Sequence, residues 1–302
     1  LIHIHGVWDL CLHDAIKIAR KKNIPWVISP HGMFMNSSIK KSFFKKMFAL
    51  LFLSYKNNFN GSSAIFYGSR EEIKNSNSIN LSSLKKILPN GFNLRIKDAI
   101  SLDPKEKLHF DFPETKEWKR IIIYYGRLNP EKGIELLIDS FNSLFHLHQK
   151  VGLIISGIPN NKSYKNKLIK KLKKINNKNI LFNTSLIGSE SFYLLQASDI
   201  FVLLSNHEGL STSALEAMSE KKPILVSKHC NLSSTIELGV GYETELNINS
   251  VSQKLNYLLS MNDEDIKKMG LISQKVSNEM FNWSNISKNL IIDYENILRL
   301  NK

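Results

Sequence analysis

Between Ile121 and Ser227 one pattern recurs: a short apolar run followed by a stretch of helical periodicity. This alternation restricts the chain to α/β architectures with parallel sheets. Strand Ile121–Tyr125 precedes a helix from Ile134, strand Val151–Ser156 a helix near Lys165–Ile175, and strand Ile180–Phe182 a helix near Glu190–Gln196. Strand Ile200–Leu204 precedes a helix from Thr212, and strand Ile224–Ser227 follows it. Such a series folds as an open sheet covered on both faces, with ligands held at the carboxyl ends of its strands. The tail, Val251 to Leu300, reads as helical throughout.

A shorter series occupies the first third. Ile2–His5, Trp26–Ser29, Ala64–Tyr67 and Lys86–Leu88 read as strands, with helical stretches at Leu10–Lys22, Ile39–Phe59 and Arg70–Asn75. Residues Phe92 to Lys119 are polar, contain proline and show little periodicity, as a connection between domains does. The expected division is residues 1–110 and 111–302, with the last helix packing back toward the first domain. No Gly-rich turn precedes His5, so the amino-terminal domain is expected to be incomplete. The chain opens on Leu1 without a Met or a secretory pattern, which reads as a fragment or a trimmed chain.

At 302 residues the chain can bury two cores, and its 42% hydrophobic and 23% charged residues exclude wholesale disorder. The longest apolar run, Met47 to Leu53, falls far short of the roughly 20 residues of a membrane span. Cys11 and Cys230 are too few for a disulfide framework or a zinc site, and a reducing cytoplasm fits them best. A net charge of +14 asks for an anionic partner, although abundant Lys, Asn and Ile read equally as a compositional habit. No nucleic-acid module or aromatic–basic interleaving accompanies that charge, so nucleic acid is not an expected partner.

Three segments carry chemistry. In the run from Ser205 to Met218, an apolar strand ends at Leu204 and Ser211 is a plausible N-cap for the next helix. The amides from Leu210 to Ser213 would then form an anion site suited to a diphosphate. Glu208 sits just ahead of that site and Glu216 on the helix behind it. Taken alone, two acidic residues so spaced favour a loop charge and a helix-face charge. In the second segment, Ile121–Tyr125 leads into Gly126-Arg127-Leu128-Asn129-Pro130-Glu131-Lys132-Gly133. Gly126 allows a sharp turn and Gly133 a close helix start. Arg127 and Lys132 place two cations at one strand's end, where a leaving diphosphate gathers charge; two surface cations are the equal alternative. The third segment, Ser29-Pro30-His31-Gly32, puts His31 at a strand end, more often a structural position than a catalytic one. His3 and His5 share one side of a strand, but no third metal ligand has sensible spacing. They read as structural or acceptor-side residues.

Together these segments resemble the retaining GT-B glycosyltransferases of family 4, whose signature is two Glu separated by seven residues, here Glu208 and Glu216. Ile28–Phe34, Ala64–Glu71, Leu88–Gly91, Gly126–Gly133, Ile155–Gly157 and Ala197–Glu216 match blocks of the family in order. The resemblance implies two Rossmann-like doubly wound domains facing across a cleft, the amino-terminal one on the acceptor side. It implies Glu208 on the transferred sugar, Glu216 on the ribose, Arg127 and Lys132 on the diphosphate, and His31 facing the sugar. Gly126 and the backbone of Gly209, Leu210 and Ser211 complete the donor site. The implied donor is a UDP-, GDP-, ADP- or dTDP-hexose, and the implied acceptor a glycan or lipid-linked sugar, as in surface polysaccharide or lipopolysaccharide synthesis. The implied reaction retains anomeric configuration by front-face attack, with no metal ion and no other cofactor. Two departures from the family stand out. Its Gly-rich amino-terminal loop is missing, which leaves open a non-catalytic or partner-dependent nucleotide-sugar module. Lys222 replaces the usual Gly before Pro223. A nucleotide-sugar epimerase of the same fold is a further alternative.

The stretch Ile39–Phe59 carries Phe43, Phe44, Met47, Phe48, Leu51, Phe52 and Tyr55 at helical spacing, with Lys40, Lys41, Lys45 and Lys46 crowded at its start. It reads equally as a core-facing helix with a solvated Lys face and as a helix resting on anionic lipid. The second reading would place a cytoplasmic protein on the inner face of the plasma membrane.

Overall fold

The computed structural model describes residues 1–76, 79–92, 103–186 and 188–300. The chain divides into two compact units. The first comprises Leu1–Gly91, Glu208–Leu210 and Met280–Lys302, and the second Phe92–His207 and Ser211–Glu279. Each is built on a parallel sheet, as the βα alternation requires.

In the first unit, β1 (Ile2–His5), β2 (Trp26–Ser29), β3 (Ala64–Tyr67) and β4 (Lys85–Ile87) pair in sequence order. The two-residue period of a strand sends alternate side chains to opposite faces. Trp26 and Ile28 join one core with Ile4, Ile65 and Tyr67, while Val27, Ala64 and Phe66 join another with Ile297 of the last helix, Trp283–Leu300.

Two expected helices are divided. The stretch Ile39–Phe59 is three pieces, Asn36–Lys40, Phe43–Phe52 and Tyr55–Asn60, broken where Ser42 and Ser54 adopt left-handed conformations (φ 60° and 57°). The breaks let each piece turn its own apolar residues inward: Ile39, Leu50, Tyr55 and Phe59 are buried. The tail is likewise three helices, Ile248–Ser260, Asp263–Met280 and Trp283–Leu300. Arg120 sits at the first break, donating to the Leu258 and Met261 carbonyls (3.1 and 2.8 Å) and to Asp263 (2.5 Å), so one side chain caps one helix and salt-bridges to the next.

In the second unit, β5 (Arg120–Tyr125), β6 (Val151–Ser156), β7 (Ile180–Asn183), β8 (Ile200–Leu203), β9 (Ile224–Ser227) and β10 (Gly241–Thr244) form one parallel sheet in the order β10-β9-β8-β5-β6-β7. The central strands are buried on both faces, which explains their near-continuous apolar composition. The stretch read as a connection holds a helix, Pro104–Asp111, capped by the Asp103 carboxylate on the Lys105 and Glu106 amides, followed by a 3₁₀ turn at Pro113–Glu117. The earlier part of that connection, residues 93–102, lies outside the described residues.

Candidate active site

The order of the second sheet reverses direction between β5 and β8: chain progress runs outward through β6 and β7 on one side and through β9 and β10 on the other. Loops leaving the carboxyl ends of two such strands diverge to opposite faces and leave a crevice, the preferred ligand site of open α/β sheets. The two segments singled out in this part of the sequence are those two loops. β5 ends at Tyr125 and continues into Gly126–Gly133, and β8 ends at Leu203 and continues toward the helix Thr212–Ser219.

The loops are tied together by backbone. The Glu131 carbonyl accepts the Asn206 amide at 2.8 Å and the Ser205 hydroxyl at 3.1 Å, and Asn129 caps the Glu131 amide at 3.2 Å. Gly133 has φ +68°, and a side chain there would place Cβ 2.1 Å from the Leu204 carbonyl oxygen. The sequence suggested that this glycine lets the helix start close to a ligand; within the protein it lies against Leu204, immediately after β8. Arg127 is exposed on the β5 loop, Lys132 is half-buried at its far end, and the Tyr124 hydroxyl donates to the Arg127 carbonyl at 2.5 Å.

Ser211 caps the following helix as its position predicted, accepting the Ala214 amide at 3.4 Å, with the Ser213 hydroxyl 3.1 Å from its own. Gly126 approaches the same turn: a Cβ at that glycine would lie 3.6 Å from Ser213 Oγ. Gly126, Arg127, Lys132, Ser211 and Glu216 therefore share one unit, with Glu216 half-buried on the capped helix. The amides at a helix amino terminus can hold an anion such as a diphosphate. Among the described residues no group of three or more His, Cys, Asp or Glu is placed to hold a metal ion.

Glu208, Gly209 and Leu210 group with the first unit, where His31 lies. A Cβ at Gly32 would sit 3.2 Å from the Gly209 Cα, and one at Gly68 would sit 3.6 Å from the Leu210 Cβ. His31 is itself left-handed (φ 48°) and Gly32 follows at φ +79°. His31 Nε2 is 2.9 Å from His5 Nδ1, the two rings stack, and His5 stacks in turn on His3 at 4.2 Å. His3 bonds the Ser29 hydroxyl at 2.8 Å and the Tyr294 hydroxyl of the last helix. Burial, then its two histidine neighbours, lowers the His3 pKa to about 4. Although His31 reaches solvent, desolvation of its ring and then His5 lower its pKa as well. Both imidazoles are therefore neutral at physiological pH. His3 thus bridges the end of β2 and the last helix.

One residue of this region went unnoticed in the sequence. Glu72 is fully buried, with Oε1 accepting the Gly32 amide at 2.5 Å and Oε2 the Gly68 amide at 2.6 Å. The signal was present as Ser69-x-x-Glu72, a capping-box spacing, and Ser69 does cap the Glu72 amide at 3.0 Å.

A family profile described as Glycosyl transferases group 1 matches residues 105–275. The chain is similar to an uncharacterized glycosyltransferase of Methanocaldococcus jannaschii, at 28% identity over 86% of this chain and 59% of the relative. It is also similar to a lipopolysaccharide 1,2-N-acetylglucosaminetransferase of Salmonella typhimurium, at 24% identity over 67% of this chain and 54% of that one. The chain thus spans little more than half the length of these two curated relatives. Among solved structures, sucrose-phosphate synthase from Thermosynechococcus elongatus superposes with a TM-score of 0.76 at 17% identity, over 99% of this chain and 74% of that one. Anabaena Alr3699/HepE, in complex with UDP and glucose, gives 0.77 at 17% identity, over 97% and 77%. These likenesses show the fold: two parallel-sheet α/β domains of the GT-B kind.

Proposed function

The chain belongs to the glycosyl transferases group 1 family, and from that premise we propose that it transfers a hexose from a nucleoside diphosphate sugar to a glycan or lipid-linked acceptor. The observation that carries this reading is the meeting of the Gly126–Gly133 loop and the Ser211-capped helix where the second sheet reverses its strand order. A UDP-, GDP-, ADP- or dTDP-sugar would lay its diphosphate on the Thr212 and Ser213 amides, with Arg127 and Lys132 taking up the charge that grows as the sugar departs. Glu216 would accept the ribose hydroxyls, and Glu208 and His31 would meet the sugar. In the retaining reaction, the bond from C1 to the phosphate oxygen breaks as the acceptor oxygen bonds C1 on the same face. The acceptor proton goes to the departing phosphate, and Arg127, Lys132 and the helix end would do the electrostatic work of a metal ion.

A thermal-shift screen with the four nucleotide classes tests the reading first, because a ligand bound only to the folded state raises its stability. With the best donor, Arg127→Ala should weaken binding of the nucleoside diphosphate about tenfold or more while nucleoside binding holds. Equal losses would remove Arg127 from the phosphate. Glu208→Ala should abolish transfer while leaving nucleotide affinity in place, and product made without added acceptor would favour the epimerase instead.

The proposed acceptor side includes an anionic bilayer. On the helix Phe43–Phe52, Phe44, Phe48 and Leu51 are 87%, 55% and 66% exposed and fall at i, i+4 and i+7, while Leu50 faces the core. Lys40, Lys41 and Lys45 flank that stripe; Lys46 instead donates to the Ser38 carbonyl and lies over the Trp8 ring. No helix among the described residues is long and apolar enough to cross a membrane. The exposed apolar stripe beside Lys40, Lys41 and Lys45 leads us to expect surface binding, at the cytoplasmic face. Vesicles with anionic lipid should float the protein, and Phe44→Ser with Phe48→Ser should leave it in the soluble fraction; equal flotation of both would discard the bilayer.

A further inference from the structure

Glu72 has no part in the reaction above, and its burial is costly. A carboxylate with no exposed surface forfeits its hydration, worth several kcal/mol, unless other donors replace the lost water. Here the donors are two backbone amides from the loops after β2 and β3, one on each carboxylate oxygen. Desolvation pushes the Glu72 pKa up, and the two amides pull against that rise.

The placement of these bonds points beyond helix capping. In a capping box the glutamate returns to the amide of its own N-cap, which would be Ser69. Glu72 passes that amide and reaches Gly68 and Gly32. The Gly32 amide belongs to the peptide plane that begins at the His31 carbonyl, so holding it restrains ψ of His31 and with it the direction of the His31 Cα–Cβ bond, from which the imidazole extends. That turn needs a brace. A non-glycine residue in the left-handed region is disfavoured by roughly 1–2 kcal/mol, and His31 adopts it at φ 48° directly before a left-handed Gly32.

We propose that Glu72 is a positioning residue: its buried carboxylate clamps the His31–Gly32 turn, so that the His31 imidazole stays paired with His5 and is presented to the transferred sugar. The clamp itself rests on geometry alone; its consequence for the sugar rests on the reading of His31 given above. Glu72 touches no substrate and acts through the backbone.

The test compares three variants by imidazole NMR, thermal melting and calorimetry. Glu72→Gln keeps the side-chain shape but turns an amide NH2 toward one of the two backbone N–H donors. Glu72→Asp keeps the charge and shortens the reach. Ser69→Ala removes the helix cap and leaves the carboxylate bonds alone. In both Glu72 variants the His31 ring should lose its coupling to His5 and titrate closer to an ordinary histidine. In Ser69→Ala the melting temperature should fall with the His31 titration unmoved. Measured against UDP paired with UDP-glucose, and the GDP, ADP and dTDP equivalents, Glu72→Gln should bind the sugar nucleotide about tenfold more weakly and keep its affinity for the free diphosphate. A His31 titration unchanged in the Glu72 variant that folds would overturn the clamp. Parallel loss of both ligands would overturn its effect on the sugar. If the unaltered protein binds none of these nucleotides, the proposed function fails, while the imidazole measurement still decides the clamp.

Discussion

Lys222 stands where the family's usual residue is Gly, a change expected to bear on a turn more than on a ligand contact. The structure gives it a different meaning. The side chain is 9% exposed, and Nζ donates to the Gln196 carbonyl at 2.7 Å and the Ser198 carbonyl at 2.6 Å. It closes the carboxyl end of the helix Phe192–Ala197, where carbonyls lack intrahelical partners. Desolvation pushes its pKa down to about 8, against partial support from Asp199 and Glu220. A neutral amine still has two hydrogens for the two carbonyls, so the cap survives deprotonation. The unfolded chain keeps this proton to about pH 10.4. Between about 8 and 10.4 the unfolded state therefore binds more protons, and this group's contribution to stability rises with pH. Below that window the native state bears the full cost of a buried ammonium. From pH 7 to pH 10, urea titrations of the protein should gain on the order of 2 kcal/mol over those of Lys222→Met. Parallel curves would mean that the amine is solvated in the native state.

At the scale of elements, what was legible in the sequence followed from burial. β5, β6, β8 and β9 are covered on both faces, and their apolar runs announced them. β10 is an edge strand whose Tyr242 and Glu243 are only half-buried, so Gly241–Thr244 has no apolar run to read. The loops of the candidate site were legible because glycines, cations and an N-cap serine sit next to strand ends in the chain itself. Contacts between distant positions were not: Glu72 with Gly32, and His3 with Tyr294, join residues that no local pattern relates. The serine breaks at Ser42 and Ser54 also escaped, because serine carries no strong preference for the left-handed region. Gly133 tests the joining of elements directly. Gly133→Ala combines a left-handed φ of +68° with a Cβ 2.1 Å from the Leu204 oxygen, so the β5 loop and the β8 end must part. Chemical denaturation should show a loss of at least about 2 kcal/mol, accompanied by weaker nucleoside diphosphate binding. A loss of stability with full binding would show that the β5 loop can shift without disturbing the site.

Across the whole molecule the two units differ in how the chain builds them. All of the second sheet lies between Arg120 and Thr244, whereas the first unit is assembled from both ends of the chain. The last helix packs on one face of the first sheet: Ile297 joins Val27, Ala64 and Phe66, Asp293 pairs with Lys86, and Tyr294 meets His3. Trp283 lies against Gly91 so closely that a Cβ there would come within 2.6 Å of the indole. Each large apolar side chain uncovered in the first sheet costs roughly 1.5–3 kcal/mol, and a four-stranded sheet bare on one face has little to offset that loss. Ending the chain at Asn282 should therefore melt the first sheet selectively. Hydrogen exchange should lose protection at residues 26–29 and 64–67 while residues 120–125, 151–156 and 200–203 stay protected. Because Arg127, Lys132 and Ser211, the residues proposed to face the diphosphate, all belong to the second unit, nucleoside diphosphate affinity should change by less than about threefold, well under 1 kcal/mol. Protection lost from both sheets together would mean that the second unit depends on the first for its stability, and the proposed diphosphate site could then no longer be treated as the property of one sheet.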